Sequence, residues 1–326
     1  MPLIADMENL REAFLLAVKG KSLRPETIRF RSQLDEELLS LHHQLLDGSY
    51  CPPSYRRFTV WDPKQRTICA APFGERVVQH AMMRVCHHLF DAFQMSHSFA
   101  SRPGLGTYKA IEHAQHCSRR NKWFLKMDVT KYFDSIDHQV LFSQLSRMVK
   151  DKLLLHYWQQ LLDGYNTSPG KGLPIGNLTS QYWANHYLAA ADHRAKEQFR
   201  FGDMTRYMDD VVLWGNDRHE LLRQGHVYEE MLGEMLRLTL HPFCLNKTEC
   251  GMPFLGYVVY PDRLRLNQRS RHRYRRRAAL LERLAEGDVI TQAQCRVSIE
   301  AMLAFVRKAD SNAFLKTAHF RGAPTA

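Results

Sequence analysis

Two acidic side chains stand next to each other in Arg206-Tyr207-Met208-Asp209-Asp210-Val211-Val212-Leu213-Trp214, a stretch whose following residues are all apolar. Adjacent carboxylates in such a setting are costly unless something neutralises them. One solution is a hairpin turn, where Asp is at home and the Val-Val-Leu-Trp run reads as the departing strand. The other is chemistry, and a third acid points to it. Phe124-Leu125-Lys126-Met127-Asp128-Val129 is a second short apolar strand that ends on an Asp. If the two strands lie side by side in one sheet, Asp128 meets Asp209 and Asp210. Three carboxylates at one point need divalent metal. Hard oxygen ligands hold Mg²⁺ with positions left for phosphate and water, and two ions about 3.5–4 Å apart clamp the attacking and leaving oxygens of an in-line displacement.

The residues around these acids carry a resemblance. Tyr207-Met208-Asp209-Asp210 resembles the Tyr-x-Asp-Asp box of reverse transcriptases, and Asp128-Val129-Thr130-Lys131-Tyr132-Phe133-Asp134-Ser135-Ile136-Asp137-His138 resembles the first catalytic-aspartate motif of the same enzymes. Glu75-Arg76-Val77-Val78-Gln79 is similar to the Asp-Arg-x-x-Gln segment of the bacterial intron-type members. Phe99-Ala100-Ser101-Arg102-Pro103-Gly104 is similar to their Phe-Arg-Pro-Gly segment, and Phe254-Leu255-Gly256-Tyr257 to the primer-grip hairpin. The stretch Gly170 to Gln181 is similar to the motif that packs against template base and nucleotide. It departs twice, with Ile175 where most members have Gln and Gln181 where most have Pro. This Ile-Gly-x-x-x-Ser-Gln form looks like that of reverse transcriptases from diversity-generating retroelements.

The resemblance, over about residues 45–260, implies an α+β right-hand polymerase fold and an RNA-directed DNA polymerase. The implied divisions are N-terminal helices and fingers (1–95), a first palm part (96–138), a helical insert (139–172), a second palm part with the primer grip (173–262), and a basic linker with a helical thumb (263–326). Asp128, Asp209 and Asp210 take the catalytic and metal-binding roles with two Mg²⁺. Lys64 and Arg66 contact the triphosphate, and Ile175 and Gln181 border the nucleotide. Phe133 is either the steric gate against a 2′-hydroxyl or a core aromatic. Lys247 either steers the departing pyrophosphate or is a surface lysine, and Arg102 either touches template or supports the fingers–palm junction. Gly256 lets backbone approach the primer. The implied partners are dNTPs, a DNA or RNA primer, a structured template RNA and its RNA/DNA hybrid, and a small basic helical-bundle accessory protein that forms a pentamer. Two rivals remain at this stage: a reverse transcriptase of an intron-type or phage-defence system, and a catalytically silent RNA-binding module of the same fold.

The elements that must position these residues are legible in outline. Helical spacing runs through residues 7–47, read as two helices broken around Gly20 and Pro25. Tyr55–Trp61 and Arg66–Ala70 read as a hairpin, residues 73–93 as a helix, 139–163 as one or two helices, and 219–238 as another. Asp134 and Asp137 read as helix-start residues. The 326 residues carry a formal charge of +11, which points to a polyanionic partner. Much of it is concentrated in Arg263, Arg265, Arg269, Arg271, Arg273, Arg275, Arg276 and Arg277, a run without an acid that destabilises itself unless phosphate shares it. Each phosphate contact releases counterions, so binding there should weaken steeply with salt. Seven cysteines without a Cys-x-x-Cys pair suit a reducing compartment. The N-terminus has no secretion-signal pattern and no window reaches the roughly 18 apolar residues of a membrane span, so the cytoplasm of a bacterial or phage-infected cell and no membrane partner are expected. If Phe133 is the gate, Phe133→Ala will admit ribonucleotides in a primer-extension assay; unchanged sugar discrimination refutes that role.

Overall fold

Val211, Val212, Leu213 and Trp214 are all buried, which a strand achieves only when both faces of its sheet are covered. A computed structural model describes residues 1–61, 65–310 and 314–315. Among the described residues the strands are β1 (Arg56–Trp61), β2 (Gln65–Ala70), β3 (Trp123–Met127), β4 (Met204–Tyr207), β5 (Asp210–Gly215), β6 (Cys244–Lys247), β7 (Met252–Phe254), β8 (Tyr257–Val259) and β9 (Leu264–Leu266). The central sheet has the order β4-β5-β3-β6, antiparallel throughout.

Alternation along these strands feeds two separate cores. Leu125, Met127, Val211 and Leu213 point into the larger one, with helices Leu178–His193 and Arg218–Leu236. Phe124, Val212 and Trp214 point into the smaller one, against Ala110, Ile111 and Ala114 of helix Thr107–Arg120. The Trp214 indole keeps a partner there, donating to Ser118 Oγ at 3.1 Å. A buried indole needs such an acceptor.

The N-terminal layer is more finely divided than its periodicity suggests. Helices Pro2–Ala5, Met7–Val18, Pro25–Ser32 and Leu34–Asp47 take the place of the expected pair. Local chemistry makes the breaks: Asp6 caps the second helix through Glu8 N and Asn9 N, Pro25 opens the third, and Gly48 closes the fourth at φ +77°. Phe14 stacks on Phe30, and both meet Phe73 edge-on, which fastens this layer to helix Phe73–Ala92. The region 139–163 resolves into helices His138–Met148 and Lys152–Asp163, and Asp137 caps the first through Gln139 N and Val140 N.

The basic stretch after residue 263 is regular structure rather than a linker. Leu264 and Leu266 are buried between exposed or half-exposed arginines, a period of two, and form β9 beside β8. From Gln268 the buried positions become Ser270, Tyr274 and Ala278, a helical period, and the helix runs to Glu286. Helix Gln292–Arg307 packs against it, with Tyr257 of β8 donating to the Phe305 carbonyl at 2.7 Å. All seven cysteines are free, and among the described residues no helix is long and apolar enough to cross a membrane.

The β7–β8 turn explains its own glycine. Leu255 and Gly256 have φ of +47° and +90°, and a Cβ on Gly256 would lie 2.9 Å from Phe305 Cζ and 3.0 Å from Ser270 Oγ. Gly256 therefore lets the C-terminal helices approach the turn, an intrachain reason for a residue read as serving the primer. Gly256→Ala should cost about 1–3 kcal/mol in chemical denaturation, from left-handed backbone and displaced packing together; a loss below about 0.3 kcal/mol contradicts this close approach.

Candidate active site

β3 and β5 bring the acids to one end of the central sheet. Met127 is paired with Val211, so one step further the antiparallel register aligns Asp128 with Asp210. Asp128 is held there by its main chain, whose carbonyl accepts from His241 N at 2.9 Å. Tyr207 pairs with Asp210 across the β4–β5 hairpin, leaving Met208 and Asp209 as its two-residue turn. The hairpin reading of the acid pair is thus realised, and the tip lies close enough to Asp128 for its charge to act on Asp209.

Crowding dominates the electrostatics. Burial pushes the Asp209 carboxyl up to about 6, the charges of Asp128 and Asp210 add to this, and a backbone hydrogen bond and the Arg66 guanidinium oppose it. Asp210 has a basic partner in Lys126, whose Nζ lies 2.9 Å from its Oδ1 and donates also to the Pro253 carbonyl at 3.3 Å. The expected three-carboxylate cluster is corrected accordingly: among the described residues no group of three or more His, Cys, Asp or Glu is spaced to hold a metal ion. Lys126 stands on the same strand face as Asp210 and engages it. The hard oxygen donors of Asp128 and Asp209, with the Asp209 carboxyl raised, fit a divalent cation such as Mg²⁺.

The turn itself is strained and braced from behind. Met208 has φ +55°, a conformation that a side chain other than glycine adopts at a cost. Arg206, with no exposed surface, donates to the Met208 carbonyl at 3.1 Å. Its remaining N–H groups reach Asp192 Oδ2 at 2.7 Å, Asn185 Oδ1 at 2.7 Å, Gln94 Oε1 at 3.0 Å and the Asn185 carbonyl at 3.3 Å. Burial works to raise the Asp192 carboxyl, but Arg206 and His97 hold it below the ordinary carboxylate range. Sequence reasoning assigned no role to Arg206, Asp192 or Lys126. A basic residue inside each apolar strand was the available signal, since a buried cation requires a partner.

The other expected residues divide by position. Arg66 on β2 is exposed and its charge acts on Asp209, whereas Lys64 lies outside the described residues. Half-buried Phe133 is tied to the segment before Ile175 by Leu173 N, which donates to the Phe133 carbonyl at 2.7 Å. Ile175 is half-buried and its carbonyl accepts from Cys69 N of β2 at 2.8 Å, while Gln181 is exposed on the helix that follows. Arg269, Arg271, Arg273, Arg275 and Arg276 line a 1050 Å³ groove with Gly256 and Trp61; Arg277 is exposed on the same helix outside that lining.

Two residues that each had two expected roles show one of them. Lys247 pairs in register with Trp123 at the far end of β3, on the order of 16 Å from Asp128 at about 3.3 Å per residue. It faces Glu249 at 3.2 Å and belongs to the surface rather than to a departing pyrophosphate. Arg102 is used within the fold, donating to Asp91 Oδ1 at 2.7 Å and to the Met95 and Ser98 carbonyls at 2.9 Å each. Of its two expected roles, structural support is the one seen.

Removing one member of the buried pair leaves the other charge without compensation. Arg206→Leu should therefore cost about 3–5 kcal/mol in urea denaturation, and adding Asp192→Leu should recover part of that loss. A single-variant cost under about 1 kcal/mol would contradict the bracing role.

The reverse transcriptase (RNA-dependent DNA polymerase) family profile matches residues 62–259, more than half of the chain. Protein YkfC of Escherichia coli strain K12 is 24% identical over 235 residues, 66% of this chain and 60% of that protein. The group II intron-encoded protein LtrA of Lactococcus lactis subsp. cremoris is 27% identical over 169 residues, 48% of this chain and 28% of LtrA. The chain thus spans less than two thirds of either relative. Among solved structures, apo telomerase from Candida tropicalis superposes with a TM-score of 0.52 at 9% identity, covering 67% of this chain and 49% of that one. Telomerase from the same organism with a fragment of telomeric RNA gives 0.51 at 10% identity, covering 82% and 55%. At such identities these likenesses speak for the right-hand polymerase fold alone. With its acids at one end of an antiparallel sheet and the matched span enclosing all three, the chain belongs to the reverse transcriptase family.

Proposed function

We propose that the chain is an RNA-directed DNA polymerase that makes error-prone cDNA within a diversity-generating retroelement, in a bacterial or phage-infected cell. The observation that carries the polymerase reading is that Asp128 and Asp210 are near enough for their charges to act on Asp209, whose carboxyl is raised first by burial and then by that repulsion, which a bound cation would relieve. Asp128 and Asp209 would hold two Mg²⁺ ions, which supply charge neutralisation at the transferring phosphate. Lys126 partly neutralises Asp210 through their ion pair, and Arg206 keeps the Met208–Asp209 turn in place. Arg66 is exposed, its charge acts on Asp209, and it would meet an incoming triphosphate. The primer 3′-hydroxyl attacks the α-phosphate of a dNTP, pyrophosphate leaves, and catalysis consists mostly of positioning and charge stabilisation.

The finer reading rests on Ile175 and Gln181. A branched alkyl group cannot make the hydrogen bonds of an amide beside the nascent base pair, so discrimination that depends on them falls. The resemblance to reverse transcriptases of diversity-generating retroelements further implies that the errors fall at template adenines. Template RNA, primer and the RNA/DNA hybrid would lie along the arginine-lined groove, and a basic pentameric helical-bundle protein would serve as accessory partner.

Extension of a primer annealed to RNA, in Mg²⁺ with dNTPs, tests both levels. The wild type should synthesise cDNA and Asp128→Ala and Asp209→Ala should not; synthesis by either variant overturns the polymerase reading, and none by the wild type favours an RNA-binding module. Sequenced products should show substitutions concentrated at adenines and fewer of them for Ile175→Gln. An even spectrum that Ile175→Gln leaves unchanged would instead favour an intron-type or phage-defence enzyme.

A further inference from the structure

A buried polar relay runs from the N-terminal half of the chain to the turn that carries Ile175. Glu75 and Gln79, both 1% exposed, sit one helical turn apart on helix Phe73–Ala92. Glu75 Oε2 accepts from the Tyr50 hydroxyl at 2.8 Å, and its Oε1 accepts from the Tyr157 hydroxyl at 2.6 Å and from Gln79 Nε2 at 2.9 Å. The Gln79 oxygen in turn accepts from Leu178 N at 3.1 Å. Leu178 opens helix Leu178–His193, whose N-cap residue Asn177 makes no side-chain cap. Helices leave their first N–H groups without intrahelical partners, and here one of them is satisfied from a different helix.

The chemistry fixes the direction of every group in this relay. A backbone N–H can only donate, so the Gln79 amide must present its oxygen to Leu178 and its NH₂ to Glu75. Glu75 accepts from that NH₂ and thereby selects the amide orientation. On the other side of the turn, the Ile175 carbonyl accepts from Cys69 N, and Gly176 at φ +120° lies so near β2 that a Cβ would come within 2.9 Å of the Cys69 carbonyl oxygen. Residues 175–178 are thus held between the β1–β2 hairpin and the Glu75–Gln79 pair. A buried carboxylate is a poor source of net stability, since apolar residues of similar volume often serve as well. Its specific effect here is orientation.

We propose that Glu75 and Gln79 are positioning residues of the nucleotide site, setting how firmly the Ile175–Leu178 turn is held against the nascent base pair. The inference rests on the polymerase reading above. The loss of one oriented hydrogen bond should loosen nucleotide selection without disabling the acids, which are on other elements.

Single-nucleotide incorporation on a fixed primer–template separates this role from a merely structural one. Gln79→Leu and Glu75→Gln should each raise KM for the correct dNTP by roughly fivefold to tenfold, leaving kcat within about twofold. Primer–template affinity should not change, and hydrogen exchange at the Leu178 amide should accelerate. The exchanged pair Glu75→Gln with Gln79→Glu keeps an acceptor for Leu178 N, because the amide NH₂ at position 75 can donate both to the carboxylate at position 79 and to the Tyr157 oxygen, which then accepts instead of donating. It should recover most of the KM. The proposal is overturned if Gln79→Leu incorporates with wild-type KM, if kcat falls in step with thermal stability, or if the exchanged pair behaves no better than the single variants. A wild type that incorporates nothing is a separate result, which removes the polymerase reading and this proposal with it.

Discussion

Carboxylates pressed together repel, and the candidate site persists only because a rigid frame resists that repulsion. The frame is the β4–β5 hairpin, tied at its tip to Arg206. This guanidinium is wholly buried and has a partner for each N–H, including the carbonyl of strained Met208. Its ion pair with Asp192 contributes little net stability, because desolvating two charges offsets most of their attraction. What the pair supplies is geometry: with the charges satisfied in one arrangement only, the turn has one place to be.

The central sheet extends this frame in two directions. Its strands alternate between a larger core shared with the N-terminal helices and a smaller one shared with the C-terminal meander and helices. Displacement of either layer is therefore transmitted to the strand ends that carry the acids. On the nucleotide side the connection is polar. Leu173 is bonded to Phe133, Ile175 to Cys69, and Leu178 to Gln79, so three segments remote in sequence meet along one short stretch. A close-packed interior converts such contacts into fixed distances.

Lys126 illustrates how a site charge can be tuned without touching substrate. It stands two residues before Asp128 in the chain, and its Nζ pairs with Asp210 at 2.9 Å. One acid is partly neutralised by the protein, while burial and the neighbouring charges still raise Asp209 and leave a demand for a cation.

Several features were determined by the sequence alone because they depend on local pattern. The strand ending on Asp128, the hairpin carrying Asp209 and Asp210, helix 73–92 and the cap at Asp137 follow from alternation, helical spacing and turn chemistry. The ordered motifs supplied the family. Other features were legible only in part: the arginines after residue 263 read as one run of charge, although Leu264 and Leu266 mark a strand and Ser270, Tyr274 and Ala278 mark a helix. Only the tertiary structure decided which charges are spent inside the protein. Arg102, Arg206 and Lys126 look in the sequence like any other basic residue, and Lys247 looks like a ligand of phosphate. Strand register separates Lys247 from the acids, while packing brings Asp192 to Arg206 and Glu75 to Gln79 and Leu178. Local pattern specifies which way a side chain faces along its own strand or helix, but its partner across the core is set by how distant elements dock.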